Sequence, residues 1–187
     1  MRLVVGVGNP GAQYEGTRHN VGFRVLDLAV AQQGAVFRKE SSLAMTAELG
    51  GASRLMKPLT FVNRTGRALA RQLELEDLTP ADILVVVDDV HLPLGRLRLR
   101  ATASSGGHNG LKDIEQVLGT RDYPRLRFGV DGDARAEVGL VDFVLSRFDG
   151  HEESLVNDAS RIAASAVIGF VEGNPFDQLM EQYNRGA

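Results

Sequence analysis

VVGVGNPGAQYEGTRHNVGFRVLDLAV (residues 4–30) starts as a short valine-rich strand, crosses a loop studded with glycines and ends in a helical run. How that loop is read decides the fold. Gly6, Gly8 and Gly11 satisfy the G-x-G-x-x-G pattern behind a strand, and Asp27 lies near the distance of an acidic ribose ligand. In a dinucleotide-binding fold, however, the glycines open the helix and the acid follows a second strand. Here the polar segment EGTRHN separates the glycines from the apolar helical spacing, so Asp27 falls inside the helix itself. That disfavours a nicotinamide or flavin site. The glycines read instead as positions where the backbone turns tightly and approaches a site closely.

Outward from this stretch, strands and helices interleave. A helix is predicted over 21–33, with Val25, Leu26, Ala29 and Val30 as its apolar stripe and Gly34 as its stop. Strands are expected over 35–39, 43–49 and 54–57, the last ended by Pro58, and Thr65 is expected to cap a further helix. ILVVVDD (83–89) has the unbroken apolar character of a central strand and ends in two carboxylates. In LGRLRLRA (94–101), Leu97 and Leu99 alternate with Arg96, Arg98 and Arg100, which puts the arginines on one strand face. LKDIEQVL makes a short helix stopped by Gly119, and RLRFGV (125–130) returns to strand. Asp149 and Glu152 have capping-box spacing before a long helix, and a short helix over 175–183 follows. The class is α/β with a largely parallel or mixed sheet.

With 187 residues, 43% hydrophobic and 24% charged, one core over residues 1–187 is the expectation. The absence of cysteine removes a disulfide framework, a thiol nucleophile and a cysteine-built zinc site. Neither an apolar leader segment nor an 18-residue apolar run is visible, so a cytoplasmic, membrane-free address is expected. A net charge of −3 offers little to a polyanion globally, leaving any such partner to local basic faces.

His19 stands at the end of the opening loop, and other polar groups follow strand ends or turns: Asn9, Asn63, the pair Asp88 and Asp89, and Asn109. Polar groups beyond strand ends mark the ligand crevice of an open α/β sheet. A histidine oriented by a carboxylate can take a proton from water, and neutral asparagines can align amides or steady a developing oxyanion. A G-x-S-x-G elbow is missing, which points to activated water, with Ser104 or Ser105 open as nucleophiles. The four histidines form no zinc motif, Asp88 with Asp89 remains a conceivable hard-cation pair, and no cofactor or metal is called for.

GNPGAQYEGTRHNVG, KPLTFVNRTG, VVVDDVHLPLGRLRLR and SSGGHNGLKDIEQVLG, in this order and joined by RLRFGV and VDFVLSRF, closely resemble the bacterial-type peptidyl-tRNA hydrolase family. The resemblance implies one α/β domain, usually monomeric, built around a twisted mixed sheet flanked by helices. It implies hydrolysis of the ester joining a peptide to the terminal ribose of tRNA, with peptidyl-tRNA as partner. By motif it assigns His19 as base and Asp88 as its orienting carboxylate, and it places Asn9, Asn63 and Asn109 around peptide and water. Tyr14 matches the aromatic residue beside the terminal ribose, while Arg100 and Arg127, with Arg98 on the same basic strand face, match the phosphate-binding positions. Departures occur at Val62, commonly methionine, at Asp89 and His91, and in FGVDGDARAEVG. They bear on pocket shape, local charge and RNA affinity. A non-hydrolytic RNA-binding relative and a hydrolase of another ester remain as alternatives.

Overall fold

The computed structural model describes residues 1–50 and 53–184. Its seven strands are β1 (Arg2–Gly6), β2 (Arg38–Lys39), β3 (Ala44–Leu49), β4 (Ser53–Pro58), β5 (Ile83–Pro93), β6 (Leu97–Thr102) and β7 (Asp122–Asp131). They form one mixed sheet in the order β2-β3-β4-β1-β5-β7-β6. The centre is parallel: β1 lies between β4 and β5, and β5 pairs with β7. The margins are antiparallel.

Helices cover both faces, which is why the central strands read as continuous apolar runs. Alternation in β5 sends Ile83, Val85 and Val87 to one core, with Leu69 of α2 (Thr65–Leu75) and Leu111 and Ile114 of α3 (Asn109–Leu118). Leu84 and Val86 go to the other core, under α1 (Val21–Gln32), α6 (Gly150–Val171) and α7 (Phe176–Asn184). Truncating a fully buried member such as Leu26 to alanine costs about 2–5 kcal/mol. The α/β class with a mixed, two-sided sheet is as expected.

The opening loop settles the rival reading. After β1 the chain makes two 3-10 turns, Ala12–Tyr14 and Arg18–Asn20, before α1 begins at Val21. Gly22 lets the first turn of α1 lie directly on the strands, since a Cβ there would sit 2.4 Å from the Val7 carbonyl oxygen. Asp27 points outward from α1 and pairs with Lys57.

The Asp149 capping box is present, its carboxylate accepting from the His151 and Glu152 amides while Glu152 accepts from the Asp149 amide. Thr65 differs from expectation. It is the first residue of α2, and its hydroxyl closes the preceding 3-10 turn on the Val62 carbonyl. Only Arg38 and Lys39 of the 35–39 segment pair as strand, on an exposed edge. Two short helices, α4 (Arg135–Val138) and α5 (Leu140–Leu145), were without a sequence signal of their own. Among the described residues, no helix is long and apolar enough to cross a membrane.

Candidate active site

The catalytic histidine candidate is carried on a turn whose two neighbours are both buried and fully engaged. Arg18 sends its guanidinium to Glu152 at 2.6 and 2.8 Å and lies over the rings of Phe143 and Phe148, 4.3 and 4.7 Å from their centres. On the other flank, Asn20 accepts from the Asn9 amide at 2.8 Å and donates to the Asn9 carbonyl at 2.9 Å. A 3-10 turn clamped on both sides cannot rotate freely, so the His19 ring is set between the end of β1 and the end of β5.

There it meets Asp88. His19 Nδ1 lies 2.9 Å from Asp88 Oδ1, and a second imidazole, His108, brings Nε2 to 3.1 Å from the same oxygen. The tautomers follow from the remaining contacts. His108 is the N-cap of α3, and its Nδ1 accepts the Leu111 amide proton, so its Nε2 carries the hydrogen and donates to Asp88. Asp88 is acceptor-only when ionised, so His19 donates from Nδ1 and keeps the Nε2 lone pair. Among the described residues nothing occupies that lone pair.

Charge balance in this trio shifts both partners. Burial pulls the His19 pKa down, but the Asp88 carboxylate, through its charge and hydrogen bond, outweighs it and leaves the ring more basic than an ordinary histidine. Burial works to raise the Asp88 pKa, yet the two imidazoles hold it well below the usual carboxylate range. The ligand-capable atoms of His19, Asp88 and His108 lie within 4.8 Å of one another. A cation on His108 Nε2 would force a proton onto Nδ1, against the Leu111 amide, so the trio is built for hydrogen bonds rather than for a metal.

The trio opens on a cleft of about 570 Å3, lined also by Asn9, Asn63 and Asn109 and walled by Phe61, Leu140 and Val141. The Asn9 carboxamide oxygen accepts the Val62 amide at 3.0 Å, which leaves its Nδ2 hydrogens for a guest. Asn63 and Asn109 are exposed, and among the described residues their side chains have no partner. Tyr14 does not line the cleft; it stands edge-on to Phe61, ring centres 6.3 Å apart. His19, Asp88 and all three asparagines are therefore brought to one cavity.

Arg127 is placed differently from Arg98 and Arg100. β6 pairs with β7 so that Arg98 faces Arg127 and Arg100 faces Arg125 across the ladder. Arg127 is buried, bound to Asp89 at 2.9 Å and to the Ser104 carbonyl. Arg125 is fully buried against the Tyr123 ring, donating to the Ala103 and Arg121 carbonyls, and burial lowers its pKa. The Arg125 side chain is sealed from solvent, whereas Arg127 keeps a small exposed part on the wall of the cleft. Arg98 and Arg100, on the edge strand, are exposed and unpaired among the described residues. Asp89 is thus no open cation ligand: Arg127 holds one oxygen and the His91 amide the other.

The sequence reading missed His108, Arg18, Asn20 and the α5 wall. His108 sits in the SSGGHNG stretch directly before a helix, and that N-cap position is the one local signal that could have singled it out; its contact with Asp88, 20 residues away, leaves none.

The whole described architecture has close counterparts. Residues 3–187 match the model of the family described as peptidyl-tRNA hydrolase. The chain belongs to the peptidyl-tRNA hydrolase family. It is 40% identical over 187 residues to the peptidyl-tRNA hydrolase of Halalkalibacterium halodurans, covering 98% of this chain and 100% of that one. Against the peptidyl-tRNA hydrolase of Aquifex aeolicus it is 40% identical over 188 residues, covering 99% and 97%. The crystal structure of peptidyl-tRNA hydrolase from Acinetobacter baumannii superposes with a TM-score of 0.89 at 31% identity, covering 99% of this chain and 95% of the other. Membership makes the chain a hydrolase of peptidyl-tRNA, an enzyme of translation that returns tRNA to use.

Proposed function

We propose that hydrolysis of the peptidyl-tRNA ester proceeds by attack of a water molecule that His19 deprotonates. The observation that carries this reading is the asymmetry of the trio: both imidazoles rest on Asp88 Oδ1, but only His19 keeps a ring nitrogen unused, and it lines the cleft.

Nδ1–H of His19 is held by Asp88, so Nε2 takes the proton as the water oxygen bonds to the ester carbonyl carbon. Asp88 stabilises the imidazolium that forms. The tetrahedral intermediate then collapses, the C–O bond to the ribose breaks, and the same proton passes to the departing ribose oxygen. Products are a tRNA with a free terminal ribose and a peptide acid, which gives the second proton of the water to solvent and leaves as the carboxylate. Asn9 and Asn109 donate to peptide carbonyls, and Asn63 steadies the oxyanion or the water; neutral amides do this without quenching the base. Tyr14 acts through Phe61, by holding that ring at the cleft lip. Arg98 and Arg100 contact tRNA phosphates from the β6 edge, reading backbone rather than bases.

The deciding assay measures peptide release from peptidyl-tRNA by wild type and His19→Ala, with aminoacyl-tRNA as the control and tRNA binding measured separately. Release that collapses in the variant while binding persists supports the reading. Undiminished release overturns it. An ester lacking the acylated amine presents no amide to the asparagines, so aminoacyl-tRNA is expected to turn over more slowly, and equal turnover would remove their aligning role.

A further inference from the structure

The sheet ends at β6, which has β7 on one side and the end of α7 across its other edge. We propose that Asn184, in the last turn of α7, is a positioning residue for tRNA: it fixes the β6 main chain between Arg98 and Arg100 and so holds their guanidinium groups ready for phosphate. This rests on the reading that these two arginines meet the tRNA backbone.

The first observation is the form of the contact. The Asn184 carboxamide oxygen accepts the Leu99 amide at 2.8 Å, and its Nδ2 donates to the Leu99 carbonyl at 3.1 Å. One side chain thereby makes both bonds that a neighbouring strand would make to that residue. Along an antiparallel pair, the main-chain groups of successive residues turn alternately toward the partner and away from it. Leu99 turns away, so Arg98 and Arg100 are the residues whose main chains meet β7, opposite Arg127 and Arg125. Over these three residues the strand is held from both edges.

Position along the strand is the second. The β6–β7 register shifts between Arg100 and Thr102, so the regular ladder ends at Arg100. A strand paired on one side and at the end of its ladder opens easily. Arg98 and Arg100 are exposed and unpaired among the described residues, so their own side chains do not steady them. Without Asn184 this stretch would be ordered only as phosphate binds, at a cost in affinity.

The third is what stands behind the asparagine. Leu179 of α7 is buried, and Gly169 of α6 lies so near that a Cβ there would sit 3.0 Å from the Leu179 side chain. Phe176 meets Phe170 edge-on with ring centres 6.1 Å apart, and Met180 and Tyr183 pack on the same core. Asn184 therefore reaches β6 from an anchored element. A cap that only shielded the edge from another chain would make the same two bonds. It would not tie them to tRNA affinity, and that difference can be measured.

The test compares peptidyl-tRNA hydrolysis, and tRNA binding over a range of salt, for wild type, Asn184→Ala, Asn184→Leu, Arg98→Gln/Arg100→Gln, and the double arginine variant carrying Asn184→Leu. Alanine and leucine differ in size and share the loss of the carboxamide, so both are expected to raise KM about fivefold at unchanged kcat and to make the salt slope shallower. In the double arginine background the further change is expected to stay within about twofold, because residues that act through one another do not add. An equal loss in both backgrounds, a loss from one Asn184 variant alone, or dimerisation with tRNA affinity intact overturns the proposal. Amide exchange gives a readout without RNA. The Leu99 amide should lose protection while those of Leu126 and Phe128 in β7 keep theirs, and unchanged protection at Leu99 overturns the assignment. If the double arginine variant binds tRNA as wild type does, the phosphate reading falls and this proposal with it. If that variant binds weakly and the Asn184 variants do not, the positioning role alone falls.

Discussion

The histidine pair around Asp88 and the arginine ladder of β6 and β7 are built on the same plan. In each, one residue type appears on both sides of a shared contact: two imidazoles on one carboxylate oxygen, and arginine facing arginine across a strand pair. In each, folding consumes one side. His108 spends Nδ1 on the Leu111 amide and Nε2 on Asp88, and Arg125 and Arg127 spend their guanidinium groups on carbonyls and carboxylates. His19 Nε2 and the guanidinium groups of Arg98 and Arg100 are left over. What a site can do is set by the atoms still uncommitted once the fold has satisfied its own hydrogen bonds. Residue type and proximity do not decide it.

The largest effect expected from this difference is on rate. Loss of a general base costs about a hundred- to ten-thousand-fold, so His19→Ala should lose that much peptide release. A similar loss from His108→Ala would abolish the distinction between the two rings. The acid limb of kcat/KM sharpens it. His19 acts as a base only when neutral, and its pKa is raised, so activity should climb with pH through a midpoint above the ordinary histidine value. Asp88→Asn removes the raising influence and leaves the burial, so the residual activity should show a lower midpoint. For stability the signs oppose. The raised His19 pKa stabilises the fold below the ordinary histidine value, and that contribution is lost as pH rises through the folded-state pKa. The lowered Asp88 pKa stabilises above the ordinary carboxylate value, and that contribution is lost as pH falls towards the folded-state pKa.

Next comes the buried side of the ladder. Arg127→Met leaves the Asp89 carboxylate buried opposite a thioether, and breaking such a pair costs about 3–5 kcal/mol. Chemical denaturation should show that loss, and Arg127→Met combined with Asp89→Leu should recover most of it. If Arg127→Met were neutral in stability and weakened tRNA binding instead, Arg127 would belong with the exposed arginines after all.

Much of this was legible before any coordinates. The apolar run of β5, the capping box of α6 and the delayed start of α1 fixed a two-sided α/β sheet, because each depends on neighbours a few residues away. His19 and Asp88 were legible from residue type and position beyond strand ends. The fates of Arg127 and His108 were not. Strand alternation puts Arg125 and Arg127 on one face of β7, but whether that face meets water depends on the 103–105 backbone and on Asp89. Those partners are 20 or more residues away, and no local period encodes them. The α5 wall was hidden likewise, since a six-residue helix is too short to show a period.

His108 gives a smaller, divided effect. His108→Ala removes both the α3 cap and a donor to Asp88, whereas His108→Asn restores a good capping side chain and removes only the ring. The two variants should therefore differ by about 1 kcal/mol in stability. Their acid limbs should nevertheless coincide if the ring acts on catalysis through Asp88, and limbs that differ would tie its influence to the helix instead.

The smallest effect is the one that tests the exposed side of the ladder. Replacing Arg98 and Arg100 by glutamine removes no buried contact, so the folded state and kcat should stay as they are. What should change is the salt dependence of tRNA binding. Each phosphate contact contributes about 0.7–0.9 to the slope of log K against log salt, so the double variant should be shallower by roughly 1.4–1.8, with the loss equal for tRNAs of different acceptor sequence. The comparison is strict because Arg98 and Arg127 are opposite one another in the same ladder: the exposed member should alter the slope without altering stability, and the buried member should do the reverse. A slope indifferent to Arg98 and Arg100 would move the RNA path off the β6 edge.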